Sequence, residues 1–212
     1  MTGQDLIAQT HTAENRKQFL LQMYNQLWSN INRHILIPWQ SITAVLGTFA
    51  IFSLVEKQII SLDLASSLII LIAAWQIAHV YDASTWVNRN LAIIVNIEKQ
   101  FLISEDTTNI HWFFQGHRSW DHLDNFKIQM LLGAGIIVII LSNHFLEVVV
   151  PGIGRSISFF NVMSTLPYAV FVSSIIGLVI FRNKMKKDYE DFLKKSPGID
   201  LYAGITEVMS SK

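Results

Sequence analysis

No cysteine occurs among the 212 residues, so disulfides, thiolate metal sites and cysteine nucleophiles are excluded together. Charge is scarce too: Asp, Glu, Lys and Arg make up 15% of the chain, and the 16 basic residues balance the 16 acidic ones. A chain of zero net charge, with its basic residues beside apolar runs, is a poor partner for nucleic acid. No glycine-rich phosphate loop is present, no serine sits in a hydrolase elbow, and no His spacing marks zinc or haem. No cofactor is therefore implied, and the chain is not expected to be an enzyme. The polar start, MTGQDLIAQTHTAENRK, lacks the apolar core and small-residue cleavage site of a secretory signal. Insertion into a membrane is then expected to begin with the first long apolar run.

Apolar runs are what the chain has in excess, with 51% hydrophobic residues. A hydrocarbon layer of about 30 Å needs roughly 20 helical residues to cross. Four runs meet that length: Ile35 to Val55, Ile59 to Tyr81, Met130 to Val150, and Val162 to Phe181. The expected fold is all-α, a polytopic membrane protein whose four transmembrane helices form two hairpins with cytoplasmic helical extensions. Its parts read as an N-terminal amphipathic helix (1–34), a first hairpin (35–81), a cytoplasmic helical segment (82–129), a second hairpin (130–181) and a basic tail (182–212).

The basic residues orient this arrangement. Only Lys57 and Arg155 lie in the two short connections; the other fourteen flank the runs at both ends of the chain and in its centre. By the positive-inside rule, the N- and C-termini and the centre face the cytoplasm of a bacterial inner membrane.

The flanking segments read as helices. Leu20, Met23, Leu27 and Ile31 recur at helical spacing, with Phe19, Tyr24 and Trp28 beside them. Such a helix lies on the membrane surface or packs upright against other helices, and the weakly basic outer face favours packing. Pro38 is expected to break it before the first span. From Ala74 to Leu102 there is neither Gly nor Pro, so the second span is expected to continue into the cytoplasm as one helix of about 40 residues, or ~60 Å.

Several residue groups are candidates for chemistry or assembly. Asn143, His144 and Glu147 interrupt the third run near its outer end, and Asp63 lies at a comparable level. Ionisable groups at membrane depth tend to face a bundle interior or a wet cavity. These four, with Ser173 and Ser174, are candidates for a polar vestibule; alternatively the helix ends near Leu141 and leaves them among the headgroups. Ala74 with Ala78, Ser173 with Gly177, and Gly133 with Gly135 let membrane helices approach closely, within one chain or between chains. Arg89, Asn90, Asn96 and Glu98 place hydrogen-bonding groups along the protruding helix, where Glu98 is expected to pair with an arginine of another helix. His117, Asp121 and His122 are weak metal candidates in an aromatic-rich centre whose spacing matches no established motif.

In layout, and in no diagnostic motif, the chain resembles small bacterial membrane proteins that assemble into rings, including pore-forming effectors of anti-phage systems. The resemblance implies a homo-oligomer in the lipid bilayer that forms or disturbs a permeation path under the control of its cytoplasmic helices. Two other readings stand beside it. One is a non-conducting scaffold or sensor that recruits a cytoplasmic protein partner; the other is a metal-dependent membrane enzyme acting on lipid through His117, Asp121 and His122.

Overall fold

A computed structural model describes residues 3–40, 42–103, 105–106, 122–153 and 161–195. Among these residues the chain is helical and has no strand. Five helices carry it: α1 (Gly3–Gln40), α2 (Ile42–Glu56), α3 (Leu62–Glu98), α4 (Asp124–His144) and α5 (Leu166–Lys195). After His144 the chain widens into a π-helical turn, Phe145–Val149, and closes with a 3-10 turn, Val150–Gly152. A second 3-10 turn, Val162–Thr165, leads into α5.

Two compact units divide the chain, one built from residues 1–34, 86–121 and 189–212, the other from 35–85 and 122–188. In the second unit α2, α3, α4 and α5 all contribute to one apolar core. Ile69, Ile70, Ala73, Ile77, Ile137 and Ile140 form its buried centre, with Ile51 and Phe52 of α2 and Val170, Phe171 and Leu178 of α5 against it. Within this unit α3 presents only a narrow exposed stripe of Leu64, Leu68, Leu71 and Trp75, so it is the most enclosed of the four. The outer faces of α4 and α5 carry Leu131, Val138, Ile139, Val172, Ile176 and Ile180 into the surroundings. Water would penalise such a surface by about 25 cal/mol per Å² of apolar area, whereas lipid does not.

Three stretches, Leu62–Glu98, Asp124–Gly152 and Val162–Lys195, are long and apolar enough to cross a membrane. The first apolar run is described in two pieces on either side of residue 41. Helix α1 passes through Pro38 and ends at Gln40, and α2 begins at Ile42 with 15 residues, about 22 Å. Pro38 removes one backbone donor, yet α1 continues through it to Gln40, so the break expected before the first span does not fall at Pro38, and residue 41 lies outside the described residues. The turn from α2 to α3 is tight. Gln58 takes a left-handed backbone (φ 56°), and the Ser61 hydroxyl accepts from the Leu64 amide at 3.2 Å, capping α3.

Close approach of α3 and α4 centres on Gly133. A Cβ there would lie 2.9 Å from Ile77 Cγ1 and 3.5 Å from the Ala73 carbonyl oxygen. Ala74 is buried and Ala78 half-buried on the same helix, consistent with close packing inside the chain. Gly135 and Gly177 differ: a Cβ at either position meets nothing within 4 Å.

In the first unit the stripe read from sequence turns inward. Leu20, Met23, Tyr24, Leu27 and Trp28 are half-buried and Ile31 is buried, while Phe19 is exposed. Their partners include the C-terminal third of α3, whose Val87, Leu91, Ile94 and Val95 are fully enclosed. Tyr24 meets Glu98, and His34 stacks on Trp86, so α1 packs against α3 within this unit. The second span's continuation is one unbroken helix to Glu98, and α5 likewise runs without interruption into the basic segment as far as Lys195.

Candidate functional site

The third apolar run does not stop at Leu141. It remains helical through His144 and beyond, and His144 is fully buried. Its two ring nitrogens face two different helices. Nε2 lies 2.9 Å from Asp63 Oδ1, in the first turn of α3, and Nδ1 lies 3.2 Å from the Tyr168 hydroxyl, in the first turn of α5. The imidazole and phenol rings meet edge to face at 5.4 Å.

Helix ends explain part of this arrangement. An acid in a first turn complements the helix dipole, and Asp63 occupies that position. Asp63 retains some exposure, with 13% of its side chain accessible, while His144 has none. Ser67 donates from its hydroxyl to the Asp63 carbonyl at 2.7 Å, holding the backbone of that turn. The cluster therefore ties three helices of one unit together through polar groups in an apolar setting.

The remaining vestibule candidates do not join it. Asn143 and Glu147 are exposed, Ser173 is exposed and Ser174 half-buried. Three residues apart on an α-helix, His144 and Glu147 would share a face. The π-helical turn between them lowers the rotation per residue, so Glu147 points elsewhere. Tyr168 escaped the sequence reading, although TLPYAV places a hydroxyl just inside an apolar run. The signal was available in principle, because a buried histidine needs a partner for each ring nitrogen.

Other polar groups lie along the same unit. Ser66 and Gln76 are buried on α3, and among the described residues Ser66 Oγ and Gln76 Nε2 have no hydrogen-bond partner. On α4, Gln129 Nε2 donates to Asn125 Oδ1 at 3.4 Å while its Oε1 is unpartnered. His122 lies 2.7 Å, through Nδ1, from the Ser84 hydroxyl and touches the edge of Tyr81. His117 and Asp121 lie outside the described residues, and no group of three metal-binding side chains occurs among those described.

In the first unit the bundle candidates are found on α3. Asn90 is buried, Asn96 half-buried, and Arg89 lies between two rings, 5.0 Å from the Trp86 centroid and 4.8 Å from that of Phe192. Glu98 accepts from the Tyr24 hydroxyl at 3.3 Å, a neutral partner where an arginine was expected. Arg16 of the same unit instead donates to Gln100 at 3.1 Å.

Burial raises the Glu98 carboxyl above the ordinary carboxylate range, and the bond from Tyr24 opposes that rise. Because the folded value exceeds the unfolded one, Glu98 favours folding most strongly below the ordinary carboxylate pKa. That contribution is lost as pH rises through the folded value. Glu98→Gln keeps an acceptor for Tyr24 without the charge. Melting of the variant, followed by tryptophan fluorescence, is expected to show higher stability than the parent at neutral pH and no gain in acid.

The fold and the site define an all-helical protein with three helices fit to cross a membrane. No family model matches the chain, and no curated protein or solved structure matches it.

Proposed function

We propose that the chain is a homo-oligomeric bacterial inner-membrane protein that opens or perturbs a path through the bilayer, controlled through its cytoplasmic helices. It crosses four times, the first crossing made by the end of α1 with α2, and both termini and the centre lie in the cytoplasm. The observation that carries the reading is the polar interior of the membrane unit. Asp63, Ser66 and Gln76 lie buried on α3, and Ser66 Oγ and Gln76 Nε2 lack a partner among the described residues. Unpaired polar groups at membrane depth are costly and mark ion or proton pathways.

Assembly is supported by α5. Ser173 and Gly177, four residues apart, lie exposed among Val172, Ile176 and Ile180, and a Cβ on Gly177 meets nothing. Small residues on an exposed apolar helix face let a second helix approach closely. Because the chain has no cysteine, Ser173→Cys introduces a single thiol. Oxidation in native membranes is expected to give a disulfide-linked dimer from this variant and none from Val138→Cys on the exposed face of α4. A membrane-potential dye reports the activity: induction of the parent chain depolarises cells, and Gln76→Leu depolarises them less. Dimers absent at residue 173, with potential unchanged at every level of protein, would refute the proposal.

A second reading, a non-conducting scaffold that recruits a cytoplasmic protein, is favoured by apolar side chains exposed in the first unit. Phe19 and Leu21 of α1 and Phe101 and Ile103 beyond α3 are uncovered there, where water is the alternative neighbour. A stoichiometric partner that co-purifies with the parent and not with Phe19→Ser, in cells whose potential is unaffected, would select it.

A further inference from the structure

We infer that Asp63, His144 and Tyr168 form a proton-binding site within the membrane unit, with the Tyr168 hydroxyl as its connection to the surroundings. The inference goes beyond ion flow and does not require it, since it concerns what the three side chains themselves bind.

Hydrogen-bond capacity lets the three side chains take up a proton. A neutral imidazole has one donor and one acceptor nitrogen, and imidazolium has two donors. In the neutral state Nε2–H donates to Asp63 Oδ1 at 2.9 Å, and Nδ1 accepts from the Tyr168 hydroxyl at 3.2 Å. When a proton is added at Nδ1, both nitrogens donate, and the Tyr168 oxygen, which has lone pairs, accepts. Each polar contact survives the change. The tyrosine O–H alone turns round, releasing its hydrogen toward another acceptor.

Charge points the same way. With Asp63 ionised and His144 neutral, the cluster holds one negative charge in an apolar bundle; the added proton brings it to zero. A hydrophobic interior disfavours net charge far more than a paired, hydrogen-bonded set of groups. Asp63 and Tyr168 are the titratable groups in contact with His144, from α3 and α5. Glu147, on its own chain segment, and Glu56 and Lys57 at the end of α2 are exposed.

An open groove lies beside the site. A groove of about 450 Å³ is lined by Leu141, Ser142, Phe145, Leu146 and Tyr168. Tyr168 belongs both to this groove and to the buried cluster, whereas His144 is fully enclosed. Its hydroxyl can pass a hydrogen to Nδ1 and take another from the groove side, so that no bond other than O–H and N–H changes and no electron is transferred. The π-helical turn beginning directly after His144 fits this role, since such turns are concentrated at functional positions.

The test uses the full chain in lipid nanodiscs with 15N-labelled histidine. The ring nitrogens of His144 are assigned by their loss in His144→Gln and followed between roughly pH 4 and pH 9. His144 is expected to pass through a protonation step, and Asp63→Asn, similar in shape, is expected to move its midpoint, because interacting groups titrate together. Tyr168→Phe retains the ring and is expected to keep the step while changing the Nδ1 resonance and slowing its exchange with solvent. Ring nitrogens unchanged over the whole range would overturn the inference, with the parent protein alone sufficient to show it. A midpoint unmoved in folded Asp63→Asn would overturn it as well. Ion flow enters none of these readouts, so an absence of conductance leaves the result standing, and a fixed histidine leaves the conducting reading standing.

Discussion

His144→Ala is expected to destabilise the membrane unit by about 3 kcal/mol, the lower end of the range for truncating a fully buried ring. Two effects add. The substitution leaves the Asp63 carboxylate without its 2.9 Å partner, and it opens a void where a fully buried ring had been. Partial exposure of Asp63 lets it recover some hydration, which places the cost low in the range. His144→Gln retains an amide donor and an acceptor and is expected to lose less than half as much. Unfolding in mixed micelles of increasing denaturing detergent measures the difference. Asn143→Ala, one residue earlier and exposed, supplies the comparison and is expected to behave like the parent. Equal stability of the residue 143 and 144 variants would mean that the cluster holds nothing together.

Gly133→Leu is expected to cost at least as much, through a different mechanism. Alanine alone would press a methyl group to 2.9 Å from Ile77 Cγ1, and this contact is part of the core where neighbouring atoms have little room to withdraw. Overpacking of this kind costs about 1–3 kcal/mol, and a leucine must separate α3 from α4 altogether. Separation would also pull His144 away from Asp63, since these residues lie on the same two helices. Gly135→Ala is the matched control. Open space surrounds its Cβ, so only the small propensity gain of alanine over glycine in a helix is expected. A fall in stability for residue 133 with none for residue 135, in the same detergent titration, locates the close approach at one position.

How far the sequence carried these conclusions differs by level. Helix type was legible because apolar runs without Gly or Pro, such as Ala74 to Leu102, leave the backbone no other way to satisfy its hydrogen bonds in an apolar setting. The effect of Pro38 was not, because a proline weakens one turn without fixing that the helix ends there, and α1 continues through it to Gln40. Depth placed Asp63 beside His144, since both lie close to the same ends of antiparallel runs. Glu147 was drawn into that group by α-helical phase, and a π-helical turn, for which the sequence has no known signature, removed it. Glu98 was expected to find an arginine; Tyr24, whose hydroxyl is as good a donor at that reach, took the position. Gly133 and Gly135 read alike in sequence, and only the path of α3 distinguishes the one that needs to be small.

The account depends on a chain that enters the bilayer four times and keeps both termini with its centre on one side. Its lack of cysteine makes the decisive measurement direct: single thiols at residues 57, 155, 99 and 186 in sealed inside-out and right-side-out vesicles, labelled with a membrane-impermeant maleimide. The account predicts labelling of Lys57→Cys and Arg155→Cys only from the periplasmic side, and of Lys99→Cys and Lys186→Cys only from the cytoplasmic side. Labelling of Lys57→Cys from the same side as Lys186→Cys would contradict it.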